Sequence, residues 1–185
     1  MLKDSPSGFG LISILIHWIT APLILFLFGL GVYMVDLTYY DDWYHTAPEL
    51  HISLGLLLLL FMLVRLVWRI FNPSPVELSE NTLQRIAAKL VKSALYLFIF
   101  TVIISGYLIT TAEGQPASMF GFLKFPVLVE LAPANVDLAG KIHEYLAWGI
   151  IALVIAHILG ALFHHFILRD RTLVRIIKPA KKNLK

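Results

Sequence analysis

Four long runs of apolar residues, parted by polar stretches, set the pattern of this chain; they extend approximately over residues 11–35, 50–70, 90–111 and 142–168. A helix crossing a hydrocarbon layer of about 30 Å needs roughly 20 such residues, at a rise of about 1.5 Å each. All four runs meet that length. The predicted fold is therefore all-α, an integral membrane four-helix bundle forming one domain over residues 1–185. Between the second and third runs, Asn72-Pro73-Ser74-Pro75 through Glu80 breaks the helix with prolines and polar side chains, separating two helical hairpins. Residues 112–141 carry Pro116, Pro126 and Pro133 among scattered aromatic and apolar residues. They read as a long external loop on the membrane surface, functional or a plain connector. The first run lacks a small-residue cleavage site where a signal peptide would have one, so it reads as a retained span. No internal repeat or low-complexity tract stands out.

Charge gives the expected orientation. In a four-span topology Lys3, Arg65, Arg69, Arg85, Lys89, Lys92, Arg169, Arg171, Arg175, Lys178, Lys181, Lys182 and Lys185 fall on one side. The other side has Lys124 and Lys141 among Asp36, Asp41, Asp42, Glu49, Glu113, Glu130, Asp137 and Glu144. The positive-inside rule then places both termini in the cytoplasm. Composition agrees with lipid as the main solvent: 58% hydrophobic residues, 15% charged and a mean hydropathy of +0.79. A pI near 9.2 would suit nucleic acid, but the basic residues cluster beside apolar runs, so no nucleic-acid partner is expected. The chain has no cysteine, which excludes disulfides, iron–sulfur clusters, thiolate zinc sites and covalently attached haem. Any cofactor is held by histidine, by carboxylates or by packing.

The chain has seven histidines, and their depth in the spans makes them the candidate chemistry, because an ionisable side chain inside a membrane is costly. His17 lies near the cytoplasmic end of the first helix and His51 at the external end of the second. His143 opens the fourth helix on the external side, and His157 follows it towards the cytoplasm. Fourteen residues separate those two, about 21 Å along a helix and some 40° of rotation, so they share a face. His143 is then level with His51, and His157 nearer the depth of His17. Two histidines from facing helices can supply both axial ligands of a haem iron.

Plainer explanations apply to each residue singly. A lone intramembrane histidine often hydrogen-bonds a neighbouring carbonyl, and a zinc site in one layer would need Glu49 or Glu144 as added ligands. His164 returns to nearly the same face as His157, and spacing alone leaves it open which of the two pairs with His17; depth favours His157. His164 and His165 otherwise read as an interfacial pair, with a quinone or haem-propionate role as the alternative, and Arg65 and Arg69 as propionate or lipid-phosphate contacts. His45, in an acidic loop, reads as solvated. Gly29, Gly31, Gly55, Gly106, Gly149 and Gly160 offer room for a flat ring or for ordinary helix packing, Gly55 being the best placed for a ring. Trp18, Trp43, Trp68 and Trp148 read as interfacial anchors.

These residues also carry a resemblance. Ile14-Leu-Ile-His-Trp, Glu49-Leu-His-Ile-Ser-Leu-Gly, Val64-Arg-Leu-Val-Trp-Arg with Asn72-Pro-Ser-Pro, Lys141-Ile-His-Glu-Tyr-Leu-Ala and Ala156-His-Ile-Leu-Gly-Ala-Leu-Phe-His-His are together similar to the bacterial di-haem cytochrome b561 family. Each motif is weak alone; their order and spacing across nearly the whole chain are specific. The resemblance implies a bacterial inner-membrane cytochrome with two non-covalent b haems, ligated by His51 with His143 and by His17 with His157. Within the family the chain resembles superoxide oxidases, which implies an enzyme that takes electrons from superoxide at the periplasmic face and delivers them to ubiquinone. The acidic external side departs from the positive funnel an anion would favour. Two alternatives stand beside this reading: a quinone-linked cytochrome b anchor subunit of a dehydrogenase or hydrogenase, and a cofactor-free transporter whose histidines form a proton or metal path.

Overall fold

The computed structural model describes residues 1–180. Lys181, Lys182 and Lys185, counted above with the basic tail, lie outside the described residues. Four helices carry the apolar runs: α1 (Leu11–Val35), α2 (Thr46–Phe71), α3 (Thr82–Thr110) and α4 (Pro133–Phe166), of 25, 26, 29 and 34 residues. All four are long and apolar enough to cross a membrane. A short helix α5 (Thr172–Ile177) follows, and a hairpin of β1 (Ala117–Met119) and β2 (Leu123–Phe125) precedes α4.

Helices α2, α3 and α4 start earlier than their apolar runs. Backbone hydrogen bonding continues into polar sequence, whereas hydropathy registers only the stretch suited to lipid. Local chemistry sets the true starts. The Asn81 side chain accepts from the backbone N–H groups of Leu83 and Gln84 at 2.9 and 3.4 Å, capping α3. Proline is well placed at the first position of α4, where its missing N–H would have no partner anyway. Pro22 lies inside α1 without ending it.

The chain divides into two compact units, one of Met1–Thr20, Phe61–Tyr96 and the chain from Ala152, the other of Ala21–Leu60 and Leu97–Ile151. In the first unit the N-terminal segment folds over the start of α1. Asp4 accepts from the Gly10 N–H at 2.6 Å and from the Ser13 hydroxyl at 2.7 Å, and the Trp68 indole donates to the Ser13 hydroxyl at 3.0 Å. Helix α5 is tied to the same unit by the Trp18 indole, which donates to the Ile176 carbonyl at 2.8 Å, and by Arg175, which donates to the Val76 carbonyl at 2.7 Å.

The second unit corrects the expectation for residues 112–141. Instead of a plain surface loop, they form the hairpin and the first turns of α4. Leu56 of α2 packs with Ala117 and Met119, and Ile52, Leu57, Tyr107 and Phe125 surround them. The Phe120 N–H donates to the buried Ser53 hydroxyl at 2.9 Å, and the Tyr107 hydroxyl donates to the Pro126 carbonyl. Phe120 and Gly121 turn the hairpin with φ of 53° and 79°, the consecutive left-handed residues of a tight β-hairpin.

Candidate functional site

Each unit brings one pair of histidines together. In the first, the rings of His17 (α1) and His157 (α4) lie 6.4 Å apart between centroids, with planes at 65°. In the second, His51 (α2) and His143 (α4) lie 6.1 Å apart at 66°. A metal–imidazole bond is about 2.0 Å, and the ring centroid lies a little over 1 Å beyond the bound nitrogen, so two imidazoles on opposite sides of one metal have centroids about 6.3 Å apart. Both separations match that figure. Ordinary ring contacts reach the same separation, as His45 with Tyr39 at 6.4 Å and His164 with Phe163 at 6.3 Å do, so what sets these two apart is that both partners are imidazoles in apolar helices.

The second pair borders a cavity of about 520 Å³, within the range of cofactor pockets. Gly31, Gly55, Gly106 and Gly140 line it, each on a different helical segment. A Cβ on Gly106 would lie 2.9 Å from His143 Cε1, and one on Gly31 would lie 3.2 Å from His51 Cε1, so both glycines let backbone approach imidazole. Gly55 has open space before it, as do Gly29 and Gly160, so space alone does not single it out; Gly149 instead makes room for Phe98, which is ordinary packing. Asp36 and Glu144 share the cavity lining.

Hydrogen bonds orient the rings. His143 Nδ1 lies 2.9 Å from the Val102 carbonyl and 3.2 Å from the Ser105 hydroxyl. As the carbonyl can only accept, Nδ1 carries the proton and Nε2 keeps a free lone pair, the tautomer of a metal-binding imidazole. His51 Nδ1 is buried and directed at the Leu27 carbonyl, one turn before Gly31, as His143 is at Val102, one turn before Gly106, although it makes no hydrogen bond of good geometry. In the first unit the Arg65 guanidinium donates to the buried Thr20 hydroxyl at 3.1 Å and to His17 Nδ1 at 3.3 Å, and lies 5.6 Å from the centre of the Tyr96 ring. Thr20 in turn donates to the Ile16 carbonyl at 2.8 Å.

The other candidate residues are placed differently. His164 Nδ1 lies 2.5 Å from Asp170 Oδ2, and the Thr172 N–H donates to Asp170 Oδ1 at 2.8 Å. Desolvation pushes the Asp170 carboxyl up, but the bonds to His164 and Thr172 outweigh it and hold the group below its usual range. His165 Nδ1 is buried without a partner, while Arg69 is exposed. His45 is exposed against Tyr44 and Tyr39, with ring centroids 5.0 and 6.4 Å away. Among the described residues no group of three or more histidines, cysteines and carboxylates gathers for a metal, so Glu49 and Glu144 complete no zinc site there. Thr20, Val102, Ser105 and Asp36 escaped the sequence reading of the site. Hydroxyls inside apolar spans were the available signal for Thr20 and Ser105; a backbone acceptor such as Val102 leaves none.

Two imidazole pairs between long apolar helices fit the class of membrane proteins that carry a redox cofactor within lipid. The chain belongs to the prokaryotic cytochrome b561 family, whose model matches residues 8–179. It is 45% identical over 175 residues to cytochrome b561 homolog 2 of Escherichia coli K12, covering 94% of this chain and 93% of that protein. It is 28% identical over 177 residues to cytochrome b562 of Cereibacter sphaeroides, covering 93% and 96%. It is also 27% identical over 150 residues to a protein of Yersinia pestis described as a probable superoxide oxidase, CybB, covering 77% and 79%. Family and fold together make this a bacterial membrane electron-transfer protein of the b-type haem class.

Proposed function

We propose that the chain is a di-haem cytochrome of the bacterial inner membrane, with both termini in the cytoplasm, that passes single electrons from an external donor to ubiquinone. The observation that carries this reading is the repeated imidazole separation, 6.4 Å for His17 with His157 and 6.1 Å for His51 with His143. Each haem, when bound, supplies a one-electron iron couple. The chain's own residues do the rest. His143 presents Nε2 because Val102 holds its Nδ1 proton. Gly31 and Gly106 keep the helices close to the imidazoles, and the apolar lining excludes water. If His17 held a metal through Nε2 its Nδ1 would carry the proton, and Arg65, keeping its bond to Thr20, would be free to meet an anionic group of the cofactor. His164, oriented by Asp170, would be a contact for a quinone at this end of α4, with His165 and Arg69 as further contacts.

An optical spectrum of the dithionite-reduced protein with a haem-to-protein ratio tests the reading. Two b haems per chain are expected, and His143→Ala and His157→Ala should each remove about one. Retention of both in either variant overturns the ligand assignment.

For the donor, similarity to a probable superoxide oxidase points to superoxide. A neutral or cationic donor is the second reading, favoured by Asp36 and Glu144 in the lining of the cavity beside His51 and His143. Superoxide-dependent reduction of ubiquinone by the purified protein supports the first; its absence, with reduction by a neutral donor intact, supports the second.

A further inference from the structure

We infer that fixed charges poise the two imidazole pairs at different potentials, with Arg65 making the His17–His157 centre the more easily reduced and Asp36 and Glu144 making the His51–His143 centre the less easily reduced. This rests on the proposed haem occupancy of both pairs. Arg65 is permanently charged, and its contacts are all neutral: the Thr20 hydroxyl at 3.1 Å, His17 Nδ1 at 3.3 Å and the Tyr96 ring at 5.6 Å. No carboxylate lies within ion-pair distance of it among the described residues. It is half-buried, where solvent screens a charge less than at the surface. At the other pair the neighbours of His143 are the neutral Val102 carbonyl and Ser105 hydroxyl, and among the described residues the only charged side chains lining the shared cavity are the carboxylates of Asp36 and Glu144.

The sign follows from charge alone. Reduction of a ferric centre removes one positive charge, so a neighbouring cation favours the reduced form and a neighbouring anion opposes it. Contact of Arg65 with a propionate leaves the sign unchanged, because removing the arginine then leaves that anion uncompensated. With haem in both pairs, these charges would favour an electron on the His17–His157 centre over the His51–His143 centre. Arg65 acts here as a tuning residue that would raise the potential of a centre held by His17 and His157.

The experiment is a potentiometric titration of the purified holoprotein followed optically. Two one-electron waves are expected. In Arg65→Gln the higher wave should fall by about tenfold in its reduction equilibrium, about 59 mV for a one-electron couple, with the lower wave unmoved. Arg65→Lys, which keeps the charge, should restore the higher wave. In a His143→Ala background, where one centre remains, the Arg65→Gln shift should persist; in a His157→Ala background it should vanish. Asp36→Asn with Glu144→Gln should raise the lower wave, and this arm decides the matter if Arg65→Gln fails to hold its haem. Two haems with waves that ignore these charge changes overturn the inference and leave the di-haem reading standing. Fewer than two haems in the unmodified protein overturns the reading beneath it.

Discussion

Gly106 and Gly31 give up a side chain so that His143 and His51 can occupy the space. With Ala at position 106 the new methyl meets His143 Cε1 at 2.9 Å and Nδ1 at 3.2 Å, closer than such contacts normally come, and the ring must shift off its bond to Val102. On the di-haem proposal, Gly106→Ala is expected to lower haem content towards one per chain while the spectrum of the haem assigned to His17 and His157 is kept. Gly31→Ala, at 3.2 Å from His51 Cε1, should do the same to a smaller degree. Haem-to-protein ratios of the two variants check this. Thr20 offers a second test, because its fully buried hydroxyl both donates to Ile16 and accepts from Arg65. Thr20→Val keeps the volume and removes both bonds, so it should cost about 1–3 kcal/mol in unfolding measurements. Histidine residue type and spacing made the four imidazoles legible from sequence. Which nitrogen each one offers was not, since that depends on carbonyls and hydroxyls from other helices.

At the scale of elements, the hairpin and the end of α4 show what hydropathy alone misses. Gly121 turns the hairpin at a φ of 79° with open space where a Cβ would stand. Gly121→Ala therefore isolates the backbone cost of the left-handed conformation and should destabilise the protein by about 1 kcal/mol in chemical or thermal unfolding, with no loss of haem from the native state. Beyond α4, Asp170 ties His164 to Thr172. Its carboxyl titrates below the ordinary 3.8, so its stabilisation is present above that pH and is lost as pH falls through the lower, folded value. Thermal midpoints of the native protein and Asp170→Asn should differ at neutral pH and converge under acid. Neither contact was visible beforehand: a three-residue strand carries too little pattern, and the His164–Asp170 bond depends on how the chain turns after the helix.

For the molecule as a whole, charge is partitioned between the two units. The unit holding His51 and His143 contains Asp36, Asp41, Asp42, Glu49, Glu113, Glu130, Asp137 and Glu144 against Lys124 and Lys141 alone. Such a field repels an anionic donor and attracts a cationic one, and salt screens both effects. If superoxide is the donor, raising ionic strength should speed its oxidation; with a cationic donor the same salt should slow the reaction. Stopped-flow rates over a salt series distinguish the cases.

Four apolar runs, a one-sided distribution of lysine and arginine and histidines at matched depths determined an all-α membrane fold and its candidate ligands from sequence alone, because lipid tolerates few ways of placing polar groups. Tertiary structure decided that His17 meets His157 while His164 meets Asp170, that Arg65 stands beside one imidazole pair, and that Asp36 and Glu144 share a cavity with the other. Periodicity gives the face and depth of a side chain to within a turn of helix. A hydrogen bond or a metal ligand needs an ångström, and only packing between segments far apart in the chain supplies that.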